Sequence, residues 1–150
     1  IAVIAETLTD NKNRTASNIR TIFQKYGGNL GTSGSASHNF NQTGVIRIDK
    51  KEISDEEILE LAIKAGANDC ISSEIIHEIF CHKEELYKVK KTIEEKVLNF
   101  IFTGIEWIPI NKIDIKKNKQ ETLSNFFEAL EEDDDIQNIF TNIKEVDFNK

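Results

Sequence analysis

Short apolar segments with strand character alternate with amphipathic helices along the whole of this 150-residue chain. The predicted order is β-α-β-β, then α-β-β-α-β, then α-β. Such alternation is typical of the α+β class, in which helices pack on one face of antiparallel sheets. The first and last blocks together would complete a β-α-β-β-α-β unit of the ferredoxin-like type. We therefore expect two ferredoxin-like units, the second inserted in the first: a discontinuous domain of residues 1–50 plus 116–150, and an inserted domain of residues 51–115.

Capping and turn residues indicate where several of these elements begin and end. A helix at about 13–26 is followed by Gly27, where a left-handed C-terminal cap belongs. Ser54 begins a capping box for a helix that closes at Gly66, and Asn118 with Glu121 predicts a cap for the last helix. The sequence Asn-Gln-Thr-Gly at 41–44 predicts a hairpin between strands at 37–40 and 45–49.

Charge is distributed unevenly along the chain, whose net charge is −7. An acidic protein is at first sight a poor ligand for nucleic acid, because phosphate binding needs cations. Residues 11–48, however, contain no Asp or Glu, and their cations are Lys12, Arg14, Arg20, Lys25 and Arg47. We therefore expect a cationic surface, confined to the first third of an otherwise anionic chain, that meets a polyanion.

The helix at 13–26 and the loop after it supply the candidate binding residues. Arg14, Asn18, Thr21 and Lys25 recur at helical spacing on the outer face, and such a row of donors suits a phosphate backbone. The predicted nucleic-acid-binding residues are Lys12, Asn13, Arg14, Asn18, Arg20, Thr21, Lys25, Gly27, Gly28, Asn29, Gly31, Ser33, Gly34 and Ser35. Structural alternatives remain for both: the helix face is simply solvated or is covered by a further domain, and the glycines supply positive φ values for a tight crossing.

No pattern in the sequence predicts a metal centre or a catalytic site. His77, Cys81 and His82, with Cys70 nearby, match no recognised zinc spacing, so core or edge positions are the better interpretation. No nucleophile is paired with a base in a known motif, and the glycine-rich loop lacks the Gly-Lys-Ser/Thr ending of a Walker sequence. We therefore predict a protein that is not an enzyme and uses no metal, cofactor or small-molecule substrate.

The acidic run Glu131–Asp135 is predicted to be a solvated turn, because successive carboxylates around a turn diverge and do not converge on a cation. Contact with a basic protein partner is the functional alternative for these residues. No apolar run approaches the ~20 residues that span a bilayer, so no membrane interaction is expected. Two cysteines provide no disulfide framework, which favours a reduced, cytosolic setting.

Two long stretches of the chain resemble the signatures of one protein family. The stretch LTDNKNRTASNIRTIFQKYGGNLGTSGSASHNFNQTGVI (8–46) resembles the central signature of the YebC family of bacterial regulatory proteins, to which the mitochondrial translational activators of cytochrome c oxidase also belong. The tail LEEDDDIQNIFTNIK (130–144) resembles the family's C-terminal signature. AGANDC (65–70) and the strand ending at Pro109 fit between them, so the resemblance spans essentially the whole chain.

The resemblance implies an organisation and a function that the residues alone do not. The family has three domains, and this chain resembles the second and third, so we expect the basic N-terminal helical domain to be absent from it. The resemblance implies that this chain comes from a DNA-binding transcriptional regulator or from an RNA- or ribosome-linked activator of translation. The alternative is a protein-interaction module that docks on a ribosomal protein or a transcription factor. The implied location is the bacterial cytoplasm, or the mitochondrial matrix for a eukaryotic relative.

Overall fold

The computed structural model describes residues 1–31 and 35–144 of the chain. Within these ranges, helices and strands follow one another in the predicted order except at residues 37–49, where one strand takes the place of the predicted pair. In chain order they are β1 (Val3–Thr7), α1 (Lys12–Lys25), β2 (Phe40–Asp49), α2 (Asp55–Ala65), β3 (Asp69–Ser72), β4 (Ile76–His82), α3 (Leu86–Ile93), β5 (Phe102–Pro109), α4 (Gln120–Glu131) and β6 (Ile136–Thr141). None of the helices in the described ranges is long and apolar enough to cross a membrane.

The chain divides into two compact units. Unit 1 consists of Ile1–Asn41 and Pro109–Lys150, and unit 2 consists of Gln42–Ile108. Along the chain, unit 2 is therefore inserted in unit 1. The predicted domain boundaries, after residue 50 and before residue 116, differ from these. The reason is that β2 hydrogen-bonds to strands of unit 2, which moves almost the whole of this strand out of unit 1.

Unit 2 contains a four-stranded sheet with the strand order β3-β4-β2-β5. Strand β4 lies antiparallel to both β2 and β3. With α2 and α3, the order of elements is β-α-β-β-α-β, which is the ferredoxin-like arrangement. The sheet and both helices share one core, which includes Ile46, Ile48, Ile58, Leu61, Ile79, Cys81, Val89 and Ile93. The predicted α+β class, with helices packed on antiparallel sheets, is confirmed.

The hairpin predicted at 37–49 is wrong, because residues 40–49 form one continuous strand. This strand pairs with β4 from Thr43 to Asp49, so the Asn-Gln-Thr-Gly sequence runs into the sheet and makes no turn. A Cβ added at Gly44 would lie 2.8 Å from Cys81 Sγ and 3.2 Å from the Leu86 side chain. A glycine is needed here for close packing. A glycine beside a strand can therefore indicate close packing as well as a turn, and the sequence does not distinguish the two.

Capping signals predict the ends of α2 correctly but not the beginning of α4. Ser54 Oγ accepts the backbone N–H of Glu57 at 3.2 Å, and Gly66 ends the helix with a φ of 85°. Helix α4 begins after Lys119, which makes no side-chain capping hydrogen bond. Residues 117–119 form a 3₁₀ turn that continues directly into α4. No extended residue precedes the helix, so the predicted cap by Asn118 and Glu121 does not form.

Unit 1 is built on the antiparallel pair β1 and β6, with α1 and α4 packed together beside it. The two strands pair from Val3↔Thr141 to Thr7↔Ile136. The Phe126 ring lies 5.0 Å from that of Phe23 and 6.0 Å from that of Tyr26. The buried core comprises Ile19, Phe23, Phe126, Phe127, Leu130 and Ile143. Four strands were expected in this unit, and the sheet in its described residues contains two, β1 and β6. The two strands predicted at 37–49 correspond to β2, which belongs to the other sheet.

The carboxylate of Asp135 joins the turn before β6 to the beginning of α1. It accepts hydrogen bonds from the hydroxyls of Thr15 at 2.6 Å and Thr9 at 3.3 Å, and the Arg14 guanidinium lies 3.7 Å away. The Thr15 hydrogen bond, with smaller contributions from Thr9 and Arg14, lowers the pKa of Asp135 below its ordinary value. This interaction therefore stabilises the fold above that ordinary pKa and is lost as the pH falls through the lowered pKa.

His77 is a fully buried polar side chain in unit 2. Its Nε2 lies 2.8 Å from the carbonyl oxygen of Ile53, and its Nδ1 lies 2.7 Å from the hydroxyl of Ser72. Because a carbonyl oxygen only accepts, Nε2 donates to Ile53, and Nδ1 accepts the hydroxyl proton of Ser72. The ring thereby fixes β4 to the segment that enters α2.

We expect Thr15→Val to raise the pKa of Asp135 toward its ordinary value of 3.8, because the variant loses the strongest hydrogen-bond donor to the carboxylate. NMR titration of the Asp135 side-chain carbon measures this pKa. Acid unfolding should then begin at a higher pH than in the unmodified chain. Thr21→Val is the matched control, since the Thr21 hydroxyl donates to Ser17 in its own helix. Equal Asp135 pKa values in the two variants would contradict the assignment.

We expect His77→Phe to lower the free energy of unfolding by roughly 1–3 kcal/mol, because the buried carbonyl of Ile53 loses its donor. Urea unfolding followed by circular dichroism measures the change. Ser72→Ala serves as the comparison: the exposed hydroxyl is removed, while His77 still donates to Ile53. The variant at Ser72 should lose less stability than the variant at His77. The opposite order would show that the serine contact is the important one.

Candidate nucleic-acid interface

Helix α1 exposes every binding residue that the sequence predicts on it. Its inner side buries Thr15, Ile19 and Phe23 against the core of unit 1, and the helix contains no acidic residue. The exposed residues are Lys12, Asn13, Arg14, Asn18, Arg20, Thr21 and Lys25. The helix is therefore a solvent-facing row of cations, amides and hydroxyls with no carboxylate of its own.

Two members of this row are already engaged within the protein. The guanidinium of Arg14 lies 3.3 Å from Asp10 and 3.7 Å from Asp135, so its charge is partly neutralised. The hydroxyl of Thr21 donates to the carbonyl of Ser17 at 3.0 Å, which leaves only its acceptor capacity. Asn18 and Lys25, in the same row, remain exposed.

Arg47 is paired with carboxylates, which contradicts the prediction that all five cations are free to meet a polyanion. Its guanidinium belongs to unit 2 and contacts both carboxylate oxygens of Glu106, at 2.9 and 2.7 Å. Nε donates to Glu78 at 3.0 Å, and the guanidinium carbon lies 5.3 Å from the Phe102 ring centroid. Hydrogen bonding to Glu106, more than that to Glu78, raises the pKa of Arg47. Two carboxylates hold this cation in place on the sheet, so it is unavailable to a phosphate.

The glycines after α1 close the helix. Gly27 has a φ of 83°, and its N–H donates to Gln24 at 3.2 Å, while the N–H of Gly28 donates to Phe23 at 2.8 Å. This pair of bonds is the Schellman motif of helix ends. Both N–H groups are thus used internally, which favours the structural alternative for these two glycines, while ligand contact by them stays a prediction.

The rest of the predicted loop is only partly described. Asn29, Gly31 and Ser35 are exposed, and a Cβ at Gly31 would overlap the side chain of Ser35. A side chain at residue 31 would therefore displace the side chain of Ser35. Ser33 and Gly34 lie outside the described residues. Ligand contact by Asn29, Gly31 and Ser35 stays a prediction.

The acidic turn at 131–135 is partly an internal structure. Asp135 accepts the two threonine hydroxyls described above, and Asp133 accepts the backbone N–H of Asp135 at 2.9 Å. Glu131, Glu132 and Asp134 remain exposed. A groove of about 340 Å³ lies beside this turn, lined by Glu131, Ile136, Gln137, Asn138 and Ile139. Glu131, Glu132 and Asp134 are therefore the most accessible carboxylates of this segment.

The histidines and cysteines do not gather into a metal centre in the part of the chain that the structure describes. Cys70 and Cys81 are free thiols, and burial raises the pKa of each. The contact between Ser72 and His77 resembles a nucleophile–base pair. However, His77 is fully buried, and its other ring nitrogen is held by the carbonyl of Ile53. The pair therefore has a structural role in fixing β4.

Known proteins resemble this chain over most of its length. The sequence matches the family described as "TACO1/YebC second and third domain" over residues 1–143. It is 62% identical over 143 residues to a probable transcriptional regulatory protein of Pelagibacter ubique, covering 95% of this chain and 59% of that protein. It is 46% identical over 143 residues to a probable transcriptional regulatory protein of Rickettsia bellii, covering 95% of this chain and 56% of that protein.

A solved structure has the same fold. The crystal structure of the conserved hypothetical protein Aq1575 from Aquifex aeolicus matches with a TM-score of 0.85 and 40% sequence identity, covering 99% of this chain and 62% of that one. The chain thus spans less than two thirds of the length of these relatives. With a family match over residues 1–143 and a relative of 62% identity, this chain belongs to the TACO1/YebC family and corresponds to its second and third domains.

Proposed function

We propose that the chain is part of a non-enzymatic regulator of gene expression that contacts nucleic acid through the exposed side of α1. The names of its relatives, probable transcriptional regulatory proteins, support a regulatory role. The proposed ligand is the phosphate backbone, which DNA and RNA share. The proposal therefore includes both DNA-linked transcriptional regulation and RNA-linked activation of translation, and the experiment below separates them.

One observation carries the proposal: α1 exposes four cations, three of them outside any ion pair in the described residues, and contains no carboxylate, in a chain with a net charge of −7. These three, Lys12, Arg20 and Lys25, form no ion pair with any other described residue. Cations that are not neutralised within the protein release counterions when they meet a phosphate backbone, which is the main source of affinity for nucleic acid. The exposed amides of Asn13 and Asn18 add hydrogen-bond donors for phosphate and sugar oxygens.

Comparison with α3 distinguishes this helix from an ordinary solvated one. Helix α3 also lacks acidic residues, but carboxylates lie immediately before and after it. Lys88 pairs with Glu85 at 3.8 Å, and Lys90 lies over the Phe100 ring at 5.4 Å. Lys88 and Lys90 of α3 therefore have partners within their own unit, and Lys25 of α1 likewise lies over the Tyr26 ring at 5.5 Å. The two helices differ in their flanks, because α1 is followed by an acid-free stretch up to Ile48.

Charge reversal at the C-terminal half of α1 tests the proposal. We expect Arg20→Glu/Lys25→Glu to weaken binding of a labelled single-stranded RNA or duplex DNA by about tenfold or more at low salt. The logarithmic salt dependence should become shallower by about 1.4 for single-stranded RNA, or about 1.8 for duplex DNA, if each cation contacts one phosphate. Fluorescence anisotropy over a salt series measures both quantities, and the tighter probe identifies the class of nucleic acid.

Lys51→Glu/Lys91→Glu is the matched control, because it makes the same change in net charge at two exposed lysines of unit 2. A general electrostatic effect would weaken binding equally in both double variants. The proposal requires a clearly larger loss in the α1 variant. It fails if the unmodified chain binds neither probe, or if the two variants bind alike.

A further inference from the structure

The segment at residues 112–119, here named the lysine segment, exposes a second group of cations in unit 1. These are Lys112, Lys116, Lys117 and Lys119. The only acidic residue of the segment, Asp114, is 3.5 Å from Lys144. None of the four lysines forms an ion pair with another residue in the described ranges. Because the segment lies far from residues 11–48 in the sequence, the charge pattern of the first third of the chain does not reveal it.

The lysine segment is held firmly against unit 1. The backbone N–H of Ile113 donates to Asn142 at 2.8 Å, and its carbonyl accepts the N–H of Lys144 at 2.7 Å. Ile113 thereby pairs with Ile143 beyond the end of β6. The side chain of Ile115 packs against the core that also contains Ile19 and Phe23. Two isoleucines thus fix the backbone between the lysines, so the lysine positions are set by the fold.

Contacts between α1 and α4 place Lys25 and the lysine segment at the same end of the helix pair. The first turn of α1 meets Asp135, just beyond the end of α4, through Thr15. The last turns of α1 meet Phe126, in the middle of α4, through Phe23 and Tyr26. The two helices therefore run antiparallel, and the end of α1 points toward the beginning of α4. Lysines lie at this end, and the acidic turn 131–135 lies at the other.

Folding does not explain why lysines lie at this end. Lys117 and Lys119 directly precede α4, whose N-terminus carries the positive end of the helix dipole. Carboxylates are the side chains that stabilise such a position, and cations there oppose the dipole. Glu121, in the first turn of α4, offsets part of this opposition, but it forms no ion pair with the four lysines in the described ranges. Residues that break a local rule of stability are expected where they serve function. A polyanion bound across these lysines would neutralise the charge that Glu121 leaves.

We propose that Lys25 and the lysine segment form a second contact surface for the phosphate backbone, here named the basic end of unit 1. This inference rests on the proposed function and extends it. Lys25 belongs to both the α1 surface and the basic end, so we expect one strand of nucleic acid to contact both. The basic end contributes affinity that does not depend on base sequence, because lysines bind phosphate as point charges.

Charge reversal of Lys117 and Lys119 gives opposite expectations for binding and stability. We expect Lys117→Glu/Lys119→Glu to bind a labelled single-stranded RNA of roughly 12 nucleotides, about twice the length of α1, about tenfold more weakly than the unmodified chain. The salt dependence should become shallower by about 1.4. The melting temperature should stay the same or rise, because carboxylates replace cations at the beginning of α4. Anisotropy and thermal unfolding of the 150-residue chain measure both effects.

The control variant Lys51→Glu/Lys91→Glu separates the outcomes. The inference is supported if the Lys117/Lys119 variant loses more affinity than this control and does not lose thermal stability. It is overturned if the two variants bind equally, or if the melting temperature falls, since the lysines would then serve the fold. If the Arg20/Lys25 variant loses binding and the Lys117/Lys119 variant does not, the α1 proposal stands and this inference alone fails. If the unmodified chain binds no nucleic acid, both fail.

Discussion

Unit 1 is assembled from two segments that are separated along the chain by the whole of unit 2, and the pairing of β1 with β6 is what joins them. Closing so long a loop costs conformational entropy, but this cost rises only slowly with loop length. This entropy cost is offset by the short antiparallel pair, by the aromatic core and by the hydrogen bonds that Thr9 and Thr15 donate to Asp135. The position of α1, and hence of every cation on it, depends on these contacts.

The same contacts decide which cations remain for a ligand. Asp135 draws in Arg14 together with the two threonines, and Glu78 and Glu106 hold Arg47 in unit 2. A planar guanidinium fits a carboxylate with two parallel hydrogen bonds, so an arginine near acidic side chains is readily used in the structure. Lysine is a flexible and strongly hydrated point charge, and the cations that stay exposed in unit 1 are mostly lysines.

Several features set by neighbouring residues could be predicted from the sequence, although the cap of α4 could not, and those set by distant partners could not be predicted. Ser54, Gly27 and Gly66 mark helix ends because their hydrogen bonds or φ values involve residues within the same helix turn. The path of β2 depends instead on pairing with β4, and Gly44 is explained by packing against Leu86. Arg47 finds its carboxylates 31 and 59 residues away. A charge count along the chain detects a cation but not its partner, so it cannot show that Arg47 is already paired. A count limited to the acid-free stretch also does not reveal the lysine segment, whose residues lie outside that stretch.

The net charge of −7 hides a separation of charge within unit 1 that matters more for binding. Helix α4 has acidic residues at its end and lysines before its beginning, and its 12 residues span about 18 Å. At physiological salt the Debye length is only about 8 Å, so exposed charges this far apart are largely screened from each other. The carboxylates of the acidic turn therefore weaken the attraction of the lysines for a phosphate very little. An acidic chain can in this way bind a polyanion, provided that the fold keeps its lysines and its carboxylates at opposite ends of one helix.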